Sequence, residues 1–547
     1  MKKIIHYTLL AALISVGFLT SCSKFLDQEP EGKPTADNYF NNDFQAKSIV
    51  DGIFARFHQE QIFGRNLFFE QGAANDIVWG RTSSGSTLCT FKYTGDEGRI
   101  TSIYEHLNTS IARANYAIAS LLNKEKSTSL SPIERRSLGE AYFGRAFAHF
   151  YIAYRYGTDQ QGVPFSRYED MPDGYDNSIP VQQASVVDNY RLIIEDLDQA
   201  LKYLPRFEEY DVEDKGRPHQ AAAIGYKAKV NAYWATWDKS RWSEVIKLVD
   251  QLERDYGRGL ADTFDQVFSS DFEDFWNREY IWTIPGNGGV LGGGSKLPGV
   301  VLENKGWGKY NGWGYFKPTL DIYEEMLKDG EGNDRLVRSI LEYNQEFEFF
   351  GETRHFYSSS DLESGFQINK YMDAFKYKDP TGSGHLNPNG NFMTTRINFP
   401  ILRFAELLLF RAEAYLMQGN AAEATKDINR IRRRSNLQPL SGSATMEALY
   451  HERRCELAFE FTDHLFDLKR WHRSDNPELK ALAAKELNAR PRVRKYADRG
   501  KALSTYTIDY YDDYKDKATY SDHMMVFPYP SIVIVNSGGL LKQNPGY

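Results

Sequence analysis

Two stretches of this chain carry side chains suited to recognition chemistry. QGAANDIVWGRTSSG (71–85) holds Asn75, Asp76, Trp79 and Arg81. GWGKYNGWGYF (306–316) holds Trp307, Tyr310, Asn311 and Trp313 among four glycines. Sugar rings offer C–H-rich faces to flat aromatic rings, and their hydroxyls need Asn, Asp or Arg partners. A saccharide site therefore combines both residue types. Glycine-rich backbone builds little core of its own, so these rings either grip a ligand or plug into neighbouring helices. The two stretches read as one shallow stacking arc. Trp79 and Trp307 are its platforms, and Asn75, Asp76 and Arg81 bond hydroxyls. The competing reading is that Trp313, Tyr315 and Phe316 anchor the loop against a helix starting near Lys317–Pro318.

Other chemistries fit poorly. GNGGVLGGGSK (286–296) has the glycines of a phosphate loop. That loop needs Gly-Lys-Ser/Thr leading into a helix, whereas here Ser295 precedes Lys296 and Leu-Pro-Gly follows. The sequence has no HExxH, CxxC or EF-hand pattern, so no metal is expected, and no G-x-S-x-G elbow. His149, His451 and His464 lie singly in helical stretches and read as structural histidines. Arg453, Glu456 and Glu460 share one helix face by spacing, and Asp467 and Arg470 lie three apart. These charges read as an internal ion network. A glycosidase needs two carboxylates about 5–10 Å apart; acidic residues are plentiful, but no stretch singles out a pair. No cofactor motif is present.

The start, MKKIIHYTLLAALISVGFLTSC, has a basic pair followed by an apolar run from Tyr7 to Leu19. That run is shorter than the ~20 residues of a membrane span and fits a signal peptide. Leu19-Thr20-Ser21-Cys22 resembles a bacterial lipoprotein cleavage box. On that reading residues 1–21 are removed and Cys22 is the lipidation site. Cys89 and Cys455 alone make no disulfide framework; Cys455 lies in a helical pattern and reads as a small buried residue. A net charge of −8 argues against nucleic acid, which requires a basic face.

The elements that must position these residues are helical. Periodic stretches cover 43–57, 103–122, 133–156, 186–204 and 218–237, with Ser131-Pro132 as a helix start. In 401–435 one helix ends near Gln418, Gly419-Asn420 turns the chain, and a second helix begins at Ala421. The small residues Ala412, Ala414, Gly419 and Ala424 have the spacing of a tetratricopeptide helix pair. The expected fold is mainly α: tetratricopeptide-like helix pairs in a superhelical scaffold, with long ordered loops and few short strands. No linker divides residues 22–547, so one domain is expected, with loop insertions at about 66–100, 258–317, 340–400 and 475–525.

The ordered set of motifs resembles the SusD/RagB family of nutrient-binding lipoproteins. It comprises Cys22 with Phe25-Leu26-Asp27, RAFAHFYIAYRYGTDQQGVPF (145–165), YRLIIEDLDQALKYLP (190–205) and GRPHQAAAIGYKAKVNAY (216–233). LRFAELLLFRAEAYL (402–416), INRIRRRSNL (428–437), ERRCELAFEFTDHLFDLKRW (452–471) and the terminal QNPGY follow. The pattern departs near the end: Ser537 stands where the family usually has proline, which leaves local C-terminal packing open. The resemblance implies four tetratricopeptide-like units and a surface-exposed, lipid-anchored position on the outer membrane of a glycan-using Gram-negative bacterium. It implies capture of oligosaccharide or polysaccharide and delivery to a SusC-like TonB-dependent transporter, without catalysis. Some relatives carry peptides instead.

Overall fold

The computed structural model describes residues 42–79, 86–158, 160–171, 181–269, 276–286, 297, 314–356, 364–378, 397–498 and 501–547. Helices α1 (Asp43–Phe57), α2 (Asn66–Gln71) and the single turn α3 (Ser86–Cys89) precede two long helices, α4 (Gly98–Ser127) and α5 (Pro132–Tyr156). Next come α6 (Val186–Tyr203), α7 (Gln220–Trp234) and α8 (Arg241–Tyr256). Short helices α9 (Leu320–Leu327) and α10 (Asp334–Ser339) lie among strands. A second helical run holds α11 (Phe404–Met417), α12 (Ala421–Arg434), α13 (Met446–Glu456), α14 (His464–His472) and α15 (Pro477–Asn488), and α16 (Ser531–Asn536) lies near the end.

Local chemistry sets the helix starts. Ser131 and Glu134 form a reciprocal capping box ahead of Pro132. Ser185 accepts from the Asp188 amide and Asn420 from the Glu423 amide. Successive helices then pack as neighbours: α4 on α5, α5 on α6, α6 on α7, α7 on α8, α8 on α11 and α11 on α12. Glycines let neighbouring elements approach closely. A Cβ at Gly144 would stand 2.7 Å from Ile53 of α1. One at Gly225 would stand 2.4 Å from Ile281. This is the stacked helix-pair scaffold expected from the sequence.

Among the described residues the strands form five separate two-stranded antiparallel ribbons. They pair β1 (Ile77–Trp79) with β3 (Phe316–Pro318), β2 (Tyr280–Ile284) with β8 (Phe399–Arg403), β4 (Ile340–Glu342) with β7 (Phe366–Ile368), β5 (Glu346–Phe349) with β6 (Glu352–His355), and β9 (Arg492–Tyr496) with β10 (Tyr506–Tyr510). The expected loop insertions are therefore more regular than their composition suggests. The 475–525 stretch contains the whole of α15, which Asn476 caps ahead of Pro477.

The charged motif is internal, as expected, but its geometry differs from a single helix face. Helix α13 ends at Glu456, so Glu460 lies beyond it. Arg453 pairs with Asp467 at 2.6 Å and Glu406 at 3.3 Å, and Arg470 with Glu413 and Asp467. Glu456 and Glu460 instead meet Arg403, at 2.7 and 2.6 Å. Cys89 and Cys455 are both free and buried. At the C-terminus the Ser537 hydroxyl donates to the Ile534 carbonyl and accepts from the Leu541 amide. The serine thus satisfies backbone groups beside α16 where the family pattern has proline. Among the described residues no helix is long and apolar enough to cross a membrane; the lipidation residue Cys22 lies outside them.

Candidate functional site

The 71–85 stretch begins where α2 runs into a tight turn, Gly72–Ala74. Gly72 is required there, because a Cβ would stand 2.6 Å from the Cys89 sulfur. Asn75 then reverses the chain in the left-handed conformation, φ 66°, which Asn tolerates better than most residues. The chain enters β1, whose Ile77 and Val78 are fully buried.

Strand β3 lies alongside in antiparallel register: Ile77 opposite Pro318, Val78 opposite Lys317, Trp79 opposite Phe316. The chain leaves β1 after Trp79 and enters β3 at Phe316. The two candidate stretches therefore depart from the same end of one ribbon, with backbones about 5 Å apart at that point. The sequence pattern offered no sign of this pairing.

Beneath the ribbon the fixings are numerous. Phe316 is buried against Phe68 and Phe69, ring centroids 5.1 and 5.0 Å away. It is an anchor, as one of the two readings of that loop held. Tyr315 is half-buried beside it. The buried Lys317 ammonium donates to Gln367 at 2.8 Å. The Thr319 hydroxyl donates to the Asn75 carbonyl and caps α9 by accepting from the Ile322 amide.

The sequence-predicted residues fall into two groups. Asn75 and Asp76 are each 3% exposed. The Asp76 carboxylate accepts from Arg454 at 2.7 Å, and Arg454 also reaches the Asn75 carbonyl. His464 stands 3.7 Å from the same carboxylate, and burial pushes its imidazole pKa down. The direct hydroxyl contact expected of Asn75 and Asp76 is corrected accordingly: both are buried beneath the ribbon and position it. Trp79 closes β1 with its backbone. Arg81, Trp307, Tyr310, Asn311 and Trp313 lie outside the described residues, as do residues 287–296 of the glycine-rich stretch.

One group of possible metal ligands occurs among the described residues: Asp329, His451 and Cys455, with donor atoms within 4.8 Å of one another. Cations of the chain already meet these carboxylates. Arg335 and Arg432 reach Asp329 at 2.9 and 3.0 Å, and His451 bridges Glu325 and Asp329 at 2.6 and 3.2 Å. Burial works against a charge on His451. The Cys455 sulfur and both carboxylates outweigh it, and the pKa is pushed up to about 12. The group is an ion cluster joining α9 to α13.

A scaffold of stacked helix pairs with a ribbon pinned upon it puts the chain in the tetratricopeptide-like fold class. The chain belongs to the SusD family. The model of that family matches residues 278–547, and a second model, described as starch-binding associating with outer membrane, matches residues 24–231. A SusD-like protein of Formosa agariphila is 23% identical over 79% of this chain and 82% of its own length. Among solved structures, a SusD-like protein from Bacteroides fragilis is 21% identical with a TM-score of 0.73, covering 93% of this chain and 98% of that one. Surface glycan-binding protein A from Bacteroides uniformis is 18% identical with a TM-score of 0.69, covering 92% and 99%.

Proposed function

We propose that this protein is a cell-surface lipoprotein that captures oligosaccharide or polysaccharide and passes it to a SusC-like TonB-dependent transporter. Capture is by stacking and hydrogen bonding, without bond cleavage. The observation that carries this reading is the register of β1 on β3. Trp79 and Phe316 pair at one end of that ribbon, where the chain continues toward Arg81 and arrives from the stretch bearing Trp307, Tyr310, Asn311 and Trp313. Rings from both stretches then serve a single ligand, with polar groups between them for its hydroxyls. The buried Asp76–Arg454 pair supports the same reading, because it fixes the ribbon from which both loops extend. Acylated Cys22 provides the tether to outer-membrane lipid, and a glycan-binding role agrees with the likeness in fold to the surface glycan-binding protein of Bacteroides uniformis.

The test uses the full-length chain purified in detergent. It is titrated by calorimetry against neutral and acidic oligosaccharides and against peptides, and the same mixtures are assayed for new reducing ends. Saccharide binding without cleavage is expected. Trp79→Ala and Trp307→Ala each weaken it about tenfold or more, a loss of roughly 1.4 kcal/mol, with unfolding unchanged. New reducing ends would replace this reading with a glycoside hydrolase, and binding of peptides alone would replace it with peptide capture.

A further inference from the structure

A concave surface is lined by none of the described residues of the two loop stretches. Helix α1, the turn at 212–218 and strand β2 enclose a groove of about 560 Å³, within the size range of small-molecule sites. Its apolar faces come from Phe54, Trp276 and Pro285, each half-buried. Gly216 lets the turn close on Pro285, since a Cβ there would stand 2.7 Å from the proline ring. On the rim, Arg217 is held by Asp214 at 2.7 Å, Glu140 at 2.9 Å and Asp51 at 2.5 Å.

Strand β2 contributes the decisive detail. Consecutive residues of a regular strand face opposite sides. Here the pairing of β2 with β8 shifts register on both sides of Trp282, and Trp282 and Thr283 both line the groove. Such irregularities re-aim side chains. Trp282 is 4% and Thr283 3% exposed, and the indole Nε1 of one and the hydroxyl of the other lack a hydrogen-bond partner. Unsatisfied polar groups of this kind are rare in native interiors and need an explanation. Nε1 only donates, whereas the threonine hydroxyl donates and accepts. Both atoms are shielded from solvent, so a hydroxyl entering from the groove completes them with a small shift of the lining.

We infer that this groove is a second saccharide site, specific for a short segment of a neutral glycan. Pyranose faces lie on Phe54, Trp276 and Pro285, and hydroxyls reach Thr283, Trp282 and the Asp51–Arg217–Asp214 rim. Neutral ligands are favoured because the lining carries the carboxylates of Asp51, Glu213 and Asp214 against Arg217, and since Lys47 and Arg136 beside it pair with Asp51 and Asp214, the acidic excess falls on the exposed Glu213. A uronate or sulfate meets an excess of like charge. His58, also in the lining, does not offset this: burial pushes its pKa down to about 4, so it is neutral at pH 7. The inference rests on the glycan-capture reading but uses none of the loop residues.

Hydrogen exchange of the full-length chain in detergent tests it, with maltoheptaose, cellohexaose and laminarihexaose as neutral probes and hexagalacturonate as the acidic one. At least one neutral probe is expected to protect residues 51–55, 212–218 and 281–286. Ala55 is exposed on α1 and lines the groove, so Ala55→Trp fills the space without entering the core. It abolishes that protection, and Phe54→Ala weakens it. In a chain carrying Trp79→Ala and Trp307→Ala, adding Ala55→Trp lowers the residual affinity at least about tenfold. Protection that survives Ala55→Trp overturns the assignment. Protection confined to residues 75–79 and 314–318 also overturns it, while leaving the loop site standing. Equal protection by hexagalacturonate overturns the neutral preference. No protection by any probe overturns both sites.

Discussion

Asp76 has the side chain that a sugar hydroxyl favours, yet its carboxylate accepts from Arg454 at 2.7 Å inside the protein. Removing one partner of such a buried pair leaves the other charge uncompensated, a cost of about 3–5 kcal/mol. Asp76→Ala should therefore lower the free energy of unfolding by that order, read from chemical denaturation. Asp76→Asn should weaken saccharide only as far as it destabilises the fold. If Asp76→Asn loses affinity at unchanged stability, Asp76 touches ligand after all. His451 makes a different prediction. Its folded pKa of about 12 lies above the ordinary imidazole value of 6.5. Its stabilisation is thus complete below pH 6.5 and is lost as pH rises towards 12. Glu325, pulled down to about 2 from 4.5 as its His451 and Lys328 bonds outweigh the opposing effect of burial, contributes above pH 4.5 and loses that contribution as pH falls. Wild type should exceed His451→Gln in stability most between about pH 4.5 and 6.5. The gap should narrow on the alkaline side, as measured by denaturation across pH. A gap that does not change with pH would mean that His451 is held neutral.

The elements differ in how legible they were. Helices α5, α6, α11 and α12 were readable because small residues alternate with large ones and because Ser131, Ser185 and Gly419-Asn420 mark their ends. Helix α15 carried an equally plain start, Asn476-Pro477, inside a stretch whose length suggested a loop. Strands β1 and β3 left no trace. Three residues cannot show a period, and each strand's partner lies far away in sequence. The aromatic and polar residues of the candidate site were legible by type, but burial was not, so Asn75 and Asp76 looked like ligand contacts. Arg403 shows the same limit. It joins β8 to α11 and donates to the carboxylates of Glu279, Glu456 and Glu460, an arrangement that spacing alone does not reveal. Arg403→Ala leaves these three acids, with Arg434, Lys370 and Arg335 as their remaining cations. A loss of about 3–5 kcal/mol is expected. Arg403→Lys should restore only part of it, because one ammonium cannot reproduce the guanidinium fork. Full rescue by lysine would show that charge alone matters.

The halves of the chain are tied into one body by long-range contacts. Arg155 of α5 meets Glu70 at 2.8 Å and Asp463 at 2.6 Å, and the Asn544 amide donates to the Tyr156 and Phe527 carbonyls. These contacts hold the β1–β3 ribbon and the stacked helices in one arrangement. On the proposed function acylated Cys22 tethers that body to the membrane. One acyl chain gives only marginal, reversible attachment, whereas two or more, at about 0.8 kcal/mol per buried CH₂, give a stable one. Tethering also confines captured glycan near the membrane, which raises its effective concentration at a transporter without any new contact. Cys22→Ala should thus separate retention from recognition. The variant leaves the membrane fraction and lacks the lipid mass on its N-terminal peptide, while its affinity for oligosaccharide in solution matches the wild type. Uptake by cells depending on this protein falls although binding persists. A Cys22→Ala chain that stays in the membrane fraction would assign retention to another contact. One that binds more weakly in solution would make the anchor part of the site.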